Sequence, residues 1–397
     1  MKKALFWGLL LILLYFFIEL TCYAALQFAK IRKSTFYRPV PFQLSAQHKE
    51  EIRLLLSEKI GGVRHDSVLG WTLPPRGTGP VNSQGLSAEH NPAFERKLRV
   101  ATFGESFTQG VNVSDEETWQ GHWVRINPAL EVTNFGLGGY GLDQAFLRYK
   151  AESARLESQV TMIGFMSENI YRTVSVFRPF YLYFTGLPLT KPRFVDQNGR
   201  LTLIENPLPT VKDYRLFLTE ERKLLKRLGE HDFFYKEFQT GAFNFLPSVQ
   251  LFKIILHTPS PLINNREAII SKGIYNTRSE AFKVTAMIFD EFHREVLKNG
   301  SLPIIIVYPT ASDIRQYRKN RTKVYQPLID YLTVKGFRHV DLMEAFEMFG
   351  KGNKVGDFFG PNHHYSSFGN EIVARYLSYY WEKNRIVGFL AEELQKI

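Results

Sequence analysis

The part of the chain after residue 97 alternates between short apolar runs and longer amphipathic segments, and this alternation limits the possible folds more than any other feature. The runs are rich in β-branched and aromatic residues, as expected of buried strands, and the segments between them have helical periodicity. Such a pattern predicts an α/β/α fold, with helices packed on both faces of a parallel sheet. The predicted strands are 98–103, 130–136, 159–166, 302–309 and 337–342, and the predicted helices are 116–126, 142–155, 278–300, 324–336 and 366–384.

Residues 174–275 interrupt this alternation. They are rich in Phe, Tyr and Pro and show no clean period, so we interpret them as an insertion, a lid or a substrate-facing subdomain. The alternating segments on either side of it, 98–173 and 276–390, then form one domain. Residues 34–97 form a lead-in, in which a helix is predicted at 50–60 and a loop rich in Gly and Pro follows.

The N-terminus carries a long apolar stretch, Ala4–Phe28, in which Glu19 is the only charged residue and which basic residues flank on both sides. About 20 apolar residues span a bilayer, whereas the apolar core of a cleaved signal peptide is shorter. A cleaved signal peptide or a lipoprotein signal at Cys22 is therefore the weaker alternative. We predict that residues 1–33 are an uncleaved signal anchor and that the domain after it lies outside the cytosol.

The composition excludes several other classes of protein. The formal net charge is +11, but the basic residues are scattered and no nucleic-acid-binding motif accompanies them, so we expect no nucleic-acid partner. A single cysteine, Cys22, forms no intrachain disulfide. His363 and His364 are adjacent and no cluster has metal-ligand spacing, so we expect no metal and no cofactor. The oligomeric state is not indicated.

Four loops that the pattern places at one edge of the sheet carry polar or glycine-rich residues. They are 104–106, 136–141, 167–169 and 363–364. Because the carboxyl ends of parallel strands meet at one edge, and ligands bind there, we expect these four loops to lie close together.

The same loops contain the groups that acyl transfer through a serine requires. The hydroxyl of Ser106 is a weak nucleophile and needs an imidazole, here His364, to accept its proton. The oxyanion that develops needs donors fixed in advance, which the glycine loop and the amide of Asn169 can supply. Taken alone, each segment is also compatible with an ordinary turn or a surface loop.

Together the four segments resemble the SGNH (GDSL-like) hydrolases, a family named for a Ser, a Gly, an Asn and a His in separate blocks. "FGESFTQG", "NFGLGGYG", "GFMSENIYR" and "HHYSSFGNEIVA" are similar to the four blocks in order, and "LGWTLPPRG…VNSQGL" is similar to the segment before the serine in membrane-anchored members. The resemblance implies a three-layer, flavodoxin-like fold and cofactor-free acyl-serine chemistry. It also implies that Ser106 is the nucleophile, His364 the base, and Gly139 and Asn169 the oxyanion donors.

Three positions depart from the family pattern. Glu105 stands where an Asp usually precedes the serine, and Ile170 stands where an Asp usually follows the asparagine. Most importantly, Pro361 occupies the place of the Asp that orients the imidazole. Asp357 is the candidate for that role; the alternatives are that Asp357 is a solvated loop residue and that a backbone carbonyl orients His364 in a Ser-His dyad.

These residues are compatible with two functions. The first is a membrane-anchored SGNH-type serine esterase, with O-acyl groups of a small molecule or a carbohydrate as substrate, or with acyl transfer to a carbohydrate by the same residues. The second is a catalytically degenerate SGNH fold that serves as a membrane-tethered binding or assembly component. Four basic residues are candidates for contacts with an anionic substrate or for an ordinary solvated surface: Arg172, Arg178, Lys191 and Arg193.

Overall fold

The computed structural model describes residues 2–34, 37–59, 61–73, 98–185, 188–257, 268–388 and 390. Its strands are β1 (Arg64–Asp66), β2 (Gly70–Thr72), β3 (Leu98–Phe103), β4 (Leu130–Asn134), β5 (Val160–Met166), β6 (Arg193–Gln197), β7 (Arg200–Ile204), β8 (Ile270–Ser271), β9 (Ile274–Tyr275), β10 (Leu302–Tyr308) and β11 (His339–Asp341). Its α-helices are α1 (Lys2–Ile31), α2 (Ala46–Leu56), α3 (Ser106–Gln109), α4 (Trp119–Ile126), α5 (Leu142–Glu152), α6 (Asn169–Arg172), α7 (Leu216–Thr219), α8 (Glu221–Gly229), α9 (Phe233–Gln239), α10 (Pro247–His257), α11 (Glu280–Lys298), α12 (Ala311–Asn320), α13 (Gln326–Val334), α14 (Met343–Met348) and α15 (Ser367–Lys383).

Five strands form a single parallel sheet in the order β4–β3–β5–β10–β11. Numbered along the chain, this is the order 2-1-3-4-5 of flavodoxin-like folds, in which the connections reverse direction between β3 and β5. Each of the five strands overlaps the apolar run from which it was predicted. The predicted parallel α/β sheet is therefore confirmed.

The central strands β5 and β10 are buried on both faces along their whole length, which explains why they are nearly continuous apolar runs in the sequence. In β5, Ile163 and Phe165 point into a core formed with α5, α11 and α13. Val160 and Met162 point to the opposite face, into a second core formed with α4, α14 and α15. The two cores make the three layers of the fold.

The predicted insertion folds into its own small elements, the hairpins β6–β7 and β8–β9 and the helices α7–α10. Its side chains Tyr214 and Phe217 are fully buried in the same core as Tyr37 and Phe42 of the lead-in. The two segments are thus packed against each other beside the sheet. Residues 74–97, which hold most of the predicted loop and of the segment similar to membrane-anchored relatives, lie outside the described residues.

The N-terminal helix α1 is long and apolar enough to cross a membrane, a property that a signal sequence shares. Most of its apolar side chains are exposed, and it contacts α10, where Phe252 and Ile255 are exposed as well. A polar pair joins the two helices, because the carboxylate of Glu19 accepts hydrogen bonds from Ser248 Oγ at 2.5 Å and from Ser248 N at 3.1 Å. Two exposed apolar helices therefore lie side by side.

Candidate active site

The turn from β3 into α3 places Ser106 at the carboxyl edge of the sheet, beside the point where the connections reverse. A helix of four residues has little stability of its own, so its ends must be capped. The Glu105 carboxylate accepts a hydrogen bond from Phe107 N at 2.7 Å, and Gly110 ends the helix in a left-handed conformation at φ 75°. Ser106 is only 6 % exposed, so its hydroxyl lies in a nearly closed site.

The turn packs directly on the sheet because β5 has a glycine beneath it. A Cβ added to Gly164 would lie 2.3 Å from Thr108 Oγ1 and 2.5 Å from Tyr308 Cε2. Both neighbours are buried, and Thr108 Oγ1 donates to the Tyr308 hydroxyl at 3.3 Å. Any side chain at this position would push the nucleophile turn away from the sheet.

We therefore expect Gly164→Ala to destabilise the protein by about 1–3 kcal/mol, the usual cost of overpacking a core. The measurement is the free energy of unfolding from urea denaturation. Gly356→Ala is the matched control, because a Cβ there meets nothing within 4 Å. Equal stability of the two variants would show that the contact between the turn and the sheet is not tight.

Glu105 is fully buried beside the serine. Burial raises the pKa of its carboxyl to about 7, and hydrogen bonding to Phe107 N, the charge of Arg172 and the Ser106 hydroxyl oppose that rise. Ser106 Oγ donates to Glu105 Oε2 at 3.2 Å, and the second oxygen, Oε1, is buried without a hydrogen bond in the described part of the chain. The carboxyl group thus changes its charge near neutral pH while it holds the hydroxyl.

The glycine loop after β4 is fixed to the nucleophile turn by two amide side chains. Asn134 Nδ2 donates to Thr108 O at 2.8 Å, and Asn134 Oδ1 accepts from Gly136 N at 2.9 Å. Gln109 Oε1 accepts from Gly138 N at 2.6 Å. These contacts hold the loop in one position relative to Ser106.

Gly139 lies in this loop with φ +83°, a conformation that favours glycine. A Cβ there would also approach Trp71 Cζ2 to 3.3 Å and Arg178 Nη1 to 3.2 Å. Within the described residues the Gly139 N–H makes no hydrogen bond with another backbone group. Its role as an oxyanion donor stays a prediction.

Asn169 follows β5, the strand next to β3, at the start of α6. The residue is completely buried, and neither Oδ1 nor Nδ2 of its side chain makes a hydrogen bond among the described residues. A buried amide without partners costs free energy, and such groups are rare in folded proteins. The amide is thus buried with both of its polar atoms unused among the described residues.

His364 follows a strained stretch of backbone. Asn362 and His363 are both left-handed, with φ of 64° and 63°, which is costly for residues other than glycine. The His364 ring packs on Phe107, the neighbour of the serine, at a centroid distance of 5.4 Å. Burial, and then the positive charges of Arg172, His363 and Arg178, lower the pKa of His364, so the ring is neutral at neutral pH, as a base must be.

Ser106 and His364, the predicted nucleophile and base, are neighbours through Phe107, on which the His364 ring packs, but no hydrogen bond joins them within the described residues. In the described structure Ser106 Oγ donates to Glu105 instead, and His364 Nδ1 lies 3.4 Å from Asn112 Nδ2. Asn112 Nδ2 also donates to Pro361 O at 2.8 Å. Because Asn112 Nδ2 can only donate, His364 Nδ1 is an acceptor in this contact, and Asn112 does not replace a carboxylate that would accept from the ring.

The structure does not bring Asp357 to the imidazole. Asp357 is exposed, and its carboxylate accepts from Lys354 N at 2.9 Å within its own 3-10 turn. Its backbone oxygen accepts from Ser366 Oγ at 2.9 Å, close to the N-terminus of α15. This geometry supports the solvated-loop alternative for Asp357.

The four basic candidates separate into two pairs. Lys191 is buried against Asp143, and Arg193 pairs with Glu280, so both side chains are used in structural ion pairs. Arg172 and Arg178, by contrast, lie beside the glycine loop, where Arg172 Nη1 donates to Tyr140 O at 2.7 Å.

Two residues at the site were not predicted from the sequence. Asn112 contacts His364 across 252 positions of the chain, and no local pattern marks it. Gln109 belongs to the first block, but its role depends on its contact with Gly138, which the sequence does not indicate. An asparagine just after a nucleophile turn is a weak signal, although the left-handed φ of 77° at Asn112 is typical of such loops.

Comparison with known proteins gives structural likenesses only. No protein-family model matches the chain, and no curated protein is similar to it in sequence. Similar solved structures include a putative lipolytic protein of the G-D-S-L family from Desulfitobacterium hafniense DCB-2, with 12 % identity over 71 % of this chain and 98 % of that one, at a TM-score of 0.34. Others are LAE5, an alpha/beta hydrolase enzyme from the metagenome of Lake Arreo, Spain (10 %, 71 % and 94 %, TM-score 0.36), and a two-domain esterase active on acetylated mannans (12 %, 74 % and 51 %, TM-score 0.32).

A GDSL-family protein and an esterase are thus among the structures that this chain resembles. The four sequence blocks resemble the same family. Because the superpositions are loose, the activity is inferred from the residues of the chain itself.

Proposed function

We propose that the chain is a serine esterase of the SGNH type that forms an acyl-serine intermediate on Ser106. The observation that carries the proposal is the buried, unpartnered amide of Asn169 at the sheet edge that also presents Ser106. The backbone N–H of Gly139, which makes no hydrogen bond with another backbone group among the described residues, is the second proposed donor. Donors that are fixed before the substrate arrives stabilise the oxyanion without reorganisation.

In the proposed reaction, Ser106 Oγ attacks the ester carbonyl carbon and its proton passes to His364. The bond to the alcohol oxygen breaks, and the alcohol leaves with that proton. Water then gives a proton to His364 and attacks the acyl-serine, which releases the carboxylic acid and restores the serine. A sugar hydroxyl in the place of water would give acyl transfer instead.

The hydroxyl must first turn from Glu105 toward His364, which requires rotation about the Cα–Cβ bond of Ser106. Catalytic hydrogen bonds are often long or absent before substrate binds, so the described geometry is compatible with this step. Without an orienting carboxylate, His364 acts with Ser106 as a dyad.

Labelling with a fluorophosphonate probe tests the proposal on the full chain in detergent. We expect the wild type to be labelled at Ser106, and we expect no labelling of Ser106→Ala and His364→Ala. The exposed residues Ser57 and His231 provide matched controls, since Ser57→Ala and His231→Ala should be labelled like the wild type. Wild type that is labelled no faster than Ser106→Ala would contradict the esterase function.

A second candidate function is a catalytically degenerate SGNH fold that binds a partner or ligand at the membrane. The contacts that favour it are those of Ser106 with Glu105 and of His364 with Asn112, which leave the two catalytic groups unjoined. This function predicts that the probe labels the wild type and His364→Ala at the same slow rate. It also predicts that a bound ligand lowers this rate.

For localisation, we propose that α1 anchors the chain in a membrane and that the domain lies outside the cytosol. The length and exposed apolar surface of α1, and the exposed apolar side chains of α10 next to it, support the anchor. An O-acylated carbohydrate is then an accessible substrate.

A further inference from the structure

Two arginines lie beside the candidate oxyanion donors. Arg172 is 6 % exposed and donates to Tyr140 O, in the loop that contains Gly139. Arg178 Nη1 lies 3.2 Å from the position that a Cβ of Gly139 would take. Both guanidinium groups therefore border the place where the carbonyl oxygen of an ester would bind.

Arg172 is buried and Arg178 is half-buried, yet within the described residues neither has the acidic partner that the buried Lys191 and Arg193 have. Lys191 and Arg193 form ion pairs, whereas Arg172 and Arg178 form none across the described ranges of the chain. Arg178 Nε is also buried without a hydrogen bond there. Burying a cation without a partner is costly, so the contrast with Lys191 and Arg193 indicates that an anion from outside completes the pair.

The charges around the pair leave room for such an anion. Glu105 faces Arg172 but is itself partly protonated near neutral pH, because burial raises its pKa to about 7. Glu168, which acts on Arg178, is exposed to solvent. After burial, the positive charges of both arginines also lower the pKa of the His364 ring, so the pair lies within electrostatic range of the proposed base.

We infer that Arg172 and Arg178 bind an anionic group, a carboxylate or a phosphate, on the molecule that this site accepts. Guanidinium groups bind both anions through paired hydrogen bonds, and two of them side by side select for charge. The inference rests on the proposed function for the ester bond, but anion binding itself does not require Ser106 to react.

The first experiment measures anion binding without catalysis. The melting temperature of the full chain carrying Ser106→Ala, in detergent at constant ionic strength, is titrated with inorganic phosphate and, separately, with malonate. We expect one of the two anions to raise it, which identifies the group that the site prefers. The shift should be absent when Arg178→Ala is added and retained with Arg200→Ala, which removes the same charge from an exposed site.

The second experiment measures selectivity during turnover. Para-nitrophenyl acetate is compared with analogues that carry a carboxylate or a phosphate on the ring. We expect kcat/KM to favour one anionic ester by about ten-fold or more, as for a hydrogen bond between charged groups. Arg178→Ala should remove the preference, and Arg178→Lys, which keeps the charge but not the fork, should retain part of it.

The outcomes separate the two proposals. A melting shift that depends on Arg178, together with a wild type that the fluorophosphonate probe labels no faster than Ser106→Ala, supports anion binding and contradicts the esterase. Labelling of Ser106 with no shift, and with equal rates on neutral and anionic esters, overturns the anion site alone. A shift that is the same in Arg178→Ala and Arg200→Ala overturns it too. If Arg178→Ala does not fold, Arg178→Gln, which removes the charge but keeps a long polar side chain, decides by the same criteria.

Discussion

Replacing Asn169 with alanine is expected to slow phosphonylation of Ser106, and ester hydrolysis, by about 100- to 1,000-fold, the usual effect of removing one oxyanion donor. The loss should fall on kcat, since the donor meets a full negative charge only in the transition state. The rate constant for fluorophosphonate labelling measures it without knowledge of the natural substrate. Asn169→Asp, of similar size but without the amide donor, should be slowed as well.

Stability separates this role from a structural one. Because neither polar atom of the Asn169 side chain has a partner among the described residues, its removal breaks no hydrogen bond. Asn169→Ala should therefore be at least as stable as the wild type while its labelling is slow. Asn244→Ala is the matched control: Asn244 is buried in the insertion and donates to Phe238 O, so we expect lower stability and unchanged labelling. Labelling of Asn169→Ala as fast as that of the wild type would show that Asn169 is not an oxyanion donor.

Glu105→Gln is expected to abolish a pH dependence of stability of about 3 kcal/mol between pH 4.5 and 7. The carboxyl has a usual pKa of 4.5, which burial raises to about 7 in the folded protein. The folded state therefore binds more protons than the unfolded state in this range, so stability falls as the pH rises. Below pH 4.5 both states are protonated, and above pH 7 the loss is complete.

Urea denaturation of wild type and Glu105→Gln at several pH values measures the difference. Asp232 and Asp313 are buried with raised pKa values as well, so the wild-type slope contains their contributions and only the difference between the two proteins reports Glu105. The exposed Glu116 provides the control, since Glu116→Gln should keep the wild-type slope. Identical slopes for all three proteins would mean that Glu105 ionises freely in the folded state.

The sheet was predictable because its central strands β5 and β10 are buried on both faces and nearly all apolar, and because the shorter runs of β3, β4 and β11 alternate with helical segments along the chain. The long helices α11 and α15 were predictable from their caps and apolar periodicity. Helix α12 was missed, because its sequence "ASDIRQYRKN" has few apolar residues and its capping by Thr310 and Asp313 is a local signal only. Helices α3 and α6, of four residues each, are too short to show a period.

The site was predictable where order along the chain determines position, and less so where a contact depends on side chains from distant segments. Ser106 and Asn169 follow adjacent strands, so the topology alone places them at one edge. By contrast, the pairing of Lys191 with Asp143 depends on how the insertion packs on α5. The contact between His364 and Asn112 likewise depends on the path of two loops, which no spacing in the sequence records.

The short connection after α1 limits what the domain can reach. The helix ends at Ile31, and Tyr37 is already buried in the core of the domain. Six residues extend at most about 20 Å. If α1 spans a bilayer, this short connection keeps the domain within a thin layer next to the lipid surface. Molecules confined to that layer meet it at a high effective concentration, whereas freely diffusing ones gain nothing from the tether.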